Sequence, residues 1–134
     1  MPKMLRLPAL VLILSLLAAC AAQPNPMSSN ARLVHDVYFS LQDSSPAACQ
    51  KLVDACYERL AGIDGVVGFA AGTREGELTR DVNDQDYHVS LHVWFDSRAS
   101  HDAYQDAAPH LQFIEENKDN WSGVRVFDSV IAAR

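Results

Sequence analysis

Residues 33–41 read LVHDVYFSL, and their alternation in polarity decides the fold class. In a β-strand, successive side chains point to opposite faces, so a period of two residues indicates a strand whose faces meet different surroundings. One face carries His35, Val37, Phe39 and Leu41, and the other carries Val34, Asp36, Tyr38 and Ser40. A strand therefore opens the folded domain near Leu33.

The stretches that follow change period, and each change marks a new element. Ser45-Pro46 begins a run with apolar residues at spacings of three and four, which is typical of a helix that the glycines after it end. The elements predicted after the first strand are a helix over 46–61, strands over 66–72 and 87–95, a helix that Asp96 or Ser97 caps and that runs to 107, a helix over 109–120, and a strand over 124–131. This β-α-β-β-α-α-β order predicts an α+β protomer in which a four-stranded antiparallel sheet carries its helices on one face.

The composition indicates a single packed domain with an acidic balance. The chain has 134 residues, of which 49% are hydrophobic, and its 11 Lys and Arg stand against 17 Asp and Glu. A protein that binds the phosphate backbone needs a basic face, which a net charge of −6 does not supply. Nucleic acid is therefore excluded as an expected partner.

The N-terminus has the pattern of a targeting segment. Lys3 and Arg6 precede an apolar run, which is too short for a permanent transmembrane helix and ends in small residues. The junction Leu17-Ala18-Ala19-Cys20 resembles the lipobox of bacterial lipoproteins, whose cysteine is acylated and becomes the new N-terminus. We expect a signal peptide over 1–19, a lipidated Cys20 with a flexible tether over 20–32, and a domain over 33–131. The resemblance implies a membrane-anchored protein of the bacterial cell envelope, and Ala21 favours the outer membrane facing the periplasm.

The two remaining cysteines, Cys49 and Cys56, fall on the first predicted helix. Seven residues of helix separate their Cα atoms by about 10.5 Å, which is beyond the reach of a disulfide. We expect them not to pair and to pack in the core as small apolar residues. A reactive thiol is the alternative, but it requires exposure and a lowered pKa.

The sheet face away from the helices is expected to carry apolar residues that a monomer would leave exposed to water. A monomer is expected to leave Val34, Tyr38, Val89 and Leu91 exposed, and large apolar patches usually mark interfaces. Two sheets stacked face to face through a twofold axis would bury them. We therefore expect a homodimer.

Several short motifs resemble the stress-responsive dimeric α/β-barrel (Dabb) family. They are Val34-His35-Asp36-Val37-Tyr38-Phe39, Ile63-Asp64-Gly65-Val66, Tyr87-His88-Val89, Phe95-Asp96-Ser97, Ala103-Tyr104, Pro109-His110-Leu111-Gln112-Phe113 and Val126-Phe127-Asp128-Ser129. The resemblance runs from about Leu33 to Ile131 and implies a ferredoxin-like protomer and a dimeric α/β barrel. Its members include plant stress-associated proteins and the cyclase that makes olivetolic acid.

The resemblance also implies a set of site residues. Cyclase-type members carry histidines on the first and third strands and a tyrosine–histidine pair around the break between the last two helices. These positions are His35, His88, Tyr104 and His110 here, and Tyr57 aligns with a pocket tyrosine. The implied substrate contacts are His35, His88, Tyr57 and Val37. The family commonly has His-Pro shortly before the last histidine, whereas this chain has Ala107-Ala108.

Such a set of residues suits proton transfer next to a carbonyl group. A histidine exchanges protons near neutral pH, and a tyrosine hydroxyl can polarise a carbonyl oxygen, so His110 is the candidate general base and Tyr104 its partner. The function class is thus a small-molecule binder for a hydrophobic or keto-type ligand, or a cyclase or enolisation enzyme that needs no cofactor. The alternative is a non-catalytic envelope interaction protein in which His110 only caps the helix junction.

Histidines also raise the question of a metal site. His88 and His92 lie about 13 Å apart along one strand, too far to share an ion. A site combining His35, His88 and His110 remains open but lacks a ligand-spacing motif, so no metal is predicted. His101, between Arg98 and Asp102, is expected to be solvated.

Overall fold

The computed structural model describes residues 30–132, and the predicted elements form in the predicted order. The signal peptide, Cys20 and most of the tether lie outside the described residues. The elements are β1 (Leu33–Leu41), α1 (Pro46–Arg59), β2 (Val66–Thr73), β3 (Val89–Phe95), α2 (Arg98–Asp106), α3 (Ala108–Asn117), a 3-10 turn (Lys118–Asn120) and β4 (Trp121–Val130). No helix in this part of the chain is long and apolar enough to cross a membrane.

The four strands form one antiparallel sheet in the order β2-β3-β1-β4. The helices pack on one face of it, which we call the covered face. Its β1 residues, among them Val37 and Phe39, are buried with the apolar residues of the helices. We call the opposite face the open face. Its residues on the two central strands and β4 include Val34, Asp36, Tyr38, Ser90, His92, Trp94, Arg125 and Phe127.

The helices begin where the sequence provides caps. The Ser45 hydroxyl accepts a hydrogen bond from the backbone N–H of Ala48 (3.3 Å), and Pro46 follows it at the start of α1. The sequence allowed either Asp96 or Ser97 as the N-cap of α2. In the structure the N-cap is Ser97, whose hydroxyl accepts a hydrogen bond from the Ser100 backbone N–H (3.1 Å). Local capping therefore fixes where both helices start.

One glycine holds α2 close to the turn between α1 and β2. Gly65 has a φ of +88°, which side chains with a Cβ rarely adopt. A Cβ at this position would lie 2.5 Å from the Cβ of Ser100 on α2. Only glycine allows the two segments to approach this closely.

The two cysteines of α1 behave as predicted. Both are buried, and neither forms a disulfide. Burial raises the pKa of the Cys56 thiol to about 12, so this side chain is a protonated apolar group rather than a nucleophile.

The prediction that Val89 and Leu91 lie on the uncovered face was wrong. Val89 is 0% exposed and Leu91 2% exposed, both beneath the helices. The cause is the strand register, in which Val37 pairs with Leu91 and Phe39 with Val89 across β1 and β3. Directly opposite residues share a face, so the two residues belong with the core.

Candidate functional site

A cavity of about 180 Å³ lies between the covered face and helices α2 and α3. Four of the predicted site residues line it: His35, Val37, Tyr104 and His110. The rest of its wall is mostly apolar and consists of Phe39, Leu60, Leu91, Gln105, Phe113, Ile114, Trp121, Val124 and Val126. The fold thus brings residues from the first strand and the last two helices around one small space.

His110 stands near the start of α3 with its ring orientation fixed by the backbone. Its Nδ1 lies 3.0 Å from the carbonyl oxygen of Gln105. A carbonyl only accepts, so Nδ1 carries the proton in the neutral ring and Nε2 keeps a free lone pair. Burial lowers the pKa of His110, the hydrogen bond to Gln105 partly opposes this, and nearby His35 and His101 lower it further. The imidazole is therefore held neutral, in the form that a general base requires.

Tyr104 is the partner that the sequence predicted for His110. It is buried on α2, and its ring centroid lies 4.6 Å from that of His110. Burial raises the pKa of the Tyr104 hydroxyl, so the group stays protonated and can donate a hydrogen bond. Within residues 30–132 this hydroxyl has no hydrogen-bond partner, which leaves its proton free for a ligand in the cavity.

His35 is tied across the sheet to the last strand. It pairs directly with Asp128 in the register of β1 and β4, and its Nδ1 lies 2.7 Å from Asp128 Oδ1. The imidazole is buried, whereas the carboxylate is half-exposed. This contact anchors one wall of the cavity to a group that reaches solvent.

The expectation that His101 is solvated was wrong. Its side chain is only 12% exposed, and its ring lies 5.4 Å from that of His35 and 5.5 Å from that of Phe95. The reason is helix geometry, because His101 and Tyr104 are three residues apart and share the inner face of α2. That spacing is the signal by which the sequence could have revealed this residue.

His88 and Tyr57 were expected as substrate contacts together with His35 and Val37, but they lie outside the cavity. His88 precedes β3 and accepts a hydrogen bond at Nδ1 from the Leu41 backbone N–H (2.9 Å), beside Cys49. The Tyr57 hydroxyl accepts one from the Ala71 N–H (3.3 Å) on β2. Helix α1 packs over β2 and β3, whereas the cavity lies over β1 and β4, so neither residue reaches it.

The same placement removes the metal site considered from the sequence. His88 is separated from His35 and His110, which line the cavity. In the described part of the chain, one group of side chains has the spacing of metal ligands, and it consists of His35, His101 and Asp128. Sequence reasoning missed the last two as members of such a group.

The open face has a different chemistry. The Tyr38 ring contacts those of Tyr87, His92 and Phe127 at centroid distances of 4.9, 6.0 and 5.8 Å. Asp36 and His92 form a cross-strand pair with 2.6 Å between Oδ1 and Nδ1. A shallow depression of about 400 Å³ lies against this aromatic group. It is a broad surface of mixed aromatic and charged side chains rather than an enclosed pocket.

Comparison with known proteins gives a family match and a set of similar folds. A family model described as Stress responsive A/B Barrel Domain matches residues 33–131. No curated protein sequence matches the chain.

Three of the solved structures that resemble this fold come from two bacteria and a plant. A dimeric ferredoxin-like protein of unknown function from Thermobifida fusca has a TM-score of 0.65 at 16% identity, with 81% of this chain and 99% of that chain covered. A Dabb family protein with a ferredoxin-like fold from Mesorhizobium loti has a TM-score of 0.64 at 20% identity, covering 77% and 99%. The hydroxynitrile lyase from Passiflora edulis has a TM-score of 0.61 at 18% identity, covering 78% and 97%. At these identities the likeness shows the fold alone.

Proposed function

The chain belongs to the stress responsive A/B barrel domain (Dabb) family, and from this premise we propose that it binds a small hydrophobic or keto-type molecule between its helices and its sheet. The observation that carries the proposal is the apolar cavity in which the free Tyr104 hydroxyl adjoins a neutral His110. Ligand sites are typically apolar spaces with a few convergent polar groups, as this one is.

The size of the cavity restricts the ligand. Its volume of about 180 Å³ is below the roughly 300 Å³ at which pockets for drug-sized molecules begin. The hydroxyl of Tyr104 would donate a hydrogen bond to the oxygen of a bound ketone, while Val37 and Phe113 contact its apolar part. A compact ketone or aldehyde fits these requirements.

Enolisation or a related cyclisation is the second candidate, and the tautomer of His110 favours it. The lone pair at Nε2 would take a proton from the carbon next to the carbonyl, and the electrons of that C–H bond would form the C=C bond of an enolate. The Tyr104 hydroxyl would stabilise the developing negative charge on oxygen, and the proton would return from Nε2. No cofactor takes part. The Passiflora hydroxynitrile lyase shows that a protein of this fold can be an enzyme.

Cyclohexanone is a suitable probe for both candidates. Titration followed by NMR is expected to give saturable shifts at His110, and exchange of the α-hydrogens for deuterium measures enolisation. Tyr104→Phe should weaken binding about 5- to 15-fold through loss of one hydrogen bond, and His110→Gln should slow exchange by about 100-fold or more. Tyr57→Phe is the matched control, because its hydroxyl lies outside the cavity.

The outcomes separate the function classes. Binding without exchange supports the binder alone, whereas binding with exchange supports the enzyme. If neither cyclohexanone nor any other small ketone or aldehyde of a panel shifts the resonances of cavity residues, the proposal fails. The non-catalytic envelope interaction protein is then the better description.

We also propose a homodimer closed through the open faces. Half-buried Tyr38 and Trp94 and exposed Phe127 give this face an aromatic surface, and apolar surfaces of this kind often mark interfaces. The similar Thermobifida protein is described as dimeric. Light scattering at micromolar concentration should give the mass of two chains. A monomer mass with a well-folded spectrum would contradict the dimer.

The lipid anchor at Cys20 is a further proposal, and its support is the lipobox-like Leu17-Ala18-Ala19-Cys20 after an apolar run. Acyl chains anchor through about 0.8 kcal/mol per buried methylene, and two chains hold firmly. Cys20→Ala should release the protein from the membrane fraction, whereas Cys49→Ala should leave it there. A mature N-terminus without acyl mass would refute the anchor.

A further inference from the structure

We propose that His35, His101 and Asp128 form a binding site for a divalent transition-metal ion, with Zn²⁺ as the best match. One ligand atom from each of the three residues lies within 4.8 Å of the others. Of these three residues only His35 lines the cavity, so metal binding here requires neither a bound small molecule nor catalysis.

The separation of two of the ligand atoms suits an ion between them. His101 Nε2 lies 3.6 Å from Asp128 Oδ1. Two ligands that bind zinc at about 2.0–2.1 Å lie roughly 3.3 Å apart at a tetrahedral angle. An ion therefore fits between these atoms with a shift of a few tenths of an ångström.

The contacts of His101 indicate that its Nε2 is the unprotonated ring nitrogen, which is the form that a metal requires. Its Nδ1 lies 2.9 Å from Asp102 Oδ1, so Nδ1 carries the proton and donates it to the carboxylate. The Gln105 side-chain nitrogen lies 3.2 Å from Nε2, as a donor to a lone pair would. Nε2 and the Asp128 oxygen are thus two acceptors close together, and an ion between them would take the place of the Gln105 amide at Nε2.

The pairing of Asp102 with His101 has a known use at metal sites. A metal-binding histidine almost always donates its other ring N–H to a carboxylate, a carbonyl or water, which fixes the ring and raises its basicity. Asp102 supplies this carboxylate on the adjacent residue of α2. The site therefore has an orienting group as well as its three ligands.

His35 completes the site by exchanging a proton for the metal. Its Nδ1 now donates to Asp128 Oδ1 at 2.7 Å. On metal binding the imidazole changes tautomer: the proton leaves Nδ1, Nε2 carries the ring proton, and the Nδ1 lone pair takes the ion. Nδ1 and Asp128 Oδ1 then separate by about 0.6 Å to reach ligand spacing. The half-exposed side chain of Asp128 can make that movement, and it gives the ion a path from solvent.

The donor set determines the class of ion. Two imidazole nitrogens and one carboxylate oxygen suit zinc and other first-row divalent metals, whereas Mg²⁺ and Ca²⁺ prefer oxygen ligands. Three protein ligands leave at least one position for water. Because His35 also lines the cavity, that water would lie near the space where the small molecule is proposed to bind.

The test is zinc binding to metal-free, full-length protein that carries no polyhistidine tag and is purified in detergent. Isothermal titration calorimetry should show one zinc per chain, with no heat from Mg²⁺. Cobalt substitution should give the visible absorption of a low-symmetry site with nitrogen and oxygen ligands. Asp128→Asn and His101→Gln should each weaken zinc binding by at least about 30-fold. Asp106→Asn, an exposed aspartate on the same helix as His101, is the charge-matched control and should bind as the parent does.

Two results would overturn the proposal. One is the absence of zinc binding, and the other is equal affinity in the parent, Asp128→Asn and His101→Gln. If His101→Gln fails to fold by circular dichroism, Asp102→Asn replaces it, since loss of an orienting carboxylate typically costs 10- to 100-fold in metal affinity. Unchanged affinity in a folded Asp102→Asn together with Asp128→Asn would also reject the site.

Discussion

Two histidine–aspartate pairs of the same geometry lie on opposite faces of the sheet. His35 and Asp128 meet at 2.7 Å on the covered face, and His92 and Asp36 meet at 2.6 Å on the open face. Each pair joins directly opposite residues of neighbouring antiparallel strands. What surrounds them differs: α2 adds His101 to the first pair, and Tyr38 and Trp94 flank the second.

The difference shows that strand register creates such pairs and that the neighbouring layer decides their use. The His35 side chain is 8% exposed and that of His92 30%. The His35–Asp128 pair lies beneath α2, which adds His101 as a third proposed metal ligand, and His35 also borders the cavity. On the open face, the other pair belongs to a surface that a second chain can cover.

The sharpest test of the two faces places a charge on each side of one strand. Leu91→Lys puts an ammonium group among buried side chains and should abolish folding, at a cost of more than about 4 kcal/mol. Ser90→Lys, one residue earlier and on the open face, should keep the folded protomer. Circular dichroism and urea unfolding measure both variants. Equal loss of structure in both would contradict the assignment of faces.

A second variant should separate association from folding. Phe127 is 53% exposed in the protomer, so Phe127→Lys should leave the fold intact and weaken dimerisation about 100-fold, or roughly 2.7 kcal/mol, as an unpaired charge enters the interface. Sedimentation at several concentrations gives the dissociation constant. Val82→Lys in the exposed loop serves as the control and should dimerise normally. An unchanged dimer in Phe127→Lys would place the interface elsewhere.

The two pairs can also be broken directly. At protein concentrations at which sedimentation shows a monomer, His35→Ala should lower the free energy of unfolding by about 1–3 kcal/mol, because it leaves a buried space and an unpaired carboxylate. His92→Ala should cost less than about 1 kcal/mol, as expected for a more exposed ion pair. Urea denaturation in metal-free buffer compares them. A larger loss for His92→Ala would reverse the proposed order.

The smallest expected effect is the pH dependence due to His110. Burial lowers its pKa in the folded state, so the unfolded chain takes up this proton first as the pH falls. The contribution of His110 to stability is complete above about pH 6.5 and is lost as the pH falls from there through its lowered folded pKa. His110→Gln should remove this part of the dependence. An NMR titration giving a folded pKa at or above 6.5 would refute it.

The sequence predicts the elements well because each one has a local signal. Alternation in residues 33–41 and the caps at Ser45 and Ser97 involve neighbours, and the structure confirms them. The errors concern contacts between distant segments. The alternation in β3 places Val89 and Leu91 on one face, but which face the helices cover depends on contacts between distant segments.

The candidate site is predictable only in part, for the same reason. The family resemblance named Tyr104 and His110, which the structure brings together. The contact between His35 and Asp128 spans 93 residues of sequence, so no local spacing reveals it. His88 fits the family pattern but lies just before β3, beside the start of α1 and away from the cavity, where its ring is bound to the Leu41 backbone.

The close approach of Gly65 to Ser100 leads us to expect that the volume of the cavity depends on the absence of one methyl group. Helix α2 carries His101, Tyr104 and Gln105, and its first turn rests against a backbone that has no Cβ. A methyl group at Gly65 would clash with Ser100, so we expect the start of α2 to shift away from the turn before β2. Gly65 therefore allows the shortest distance between these two segments. We expect the residue at this position to affect the size of the cavity although it does not line it.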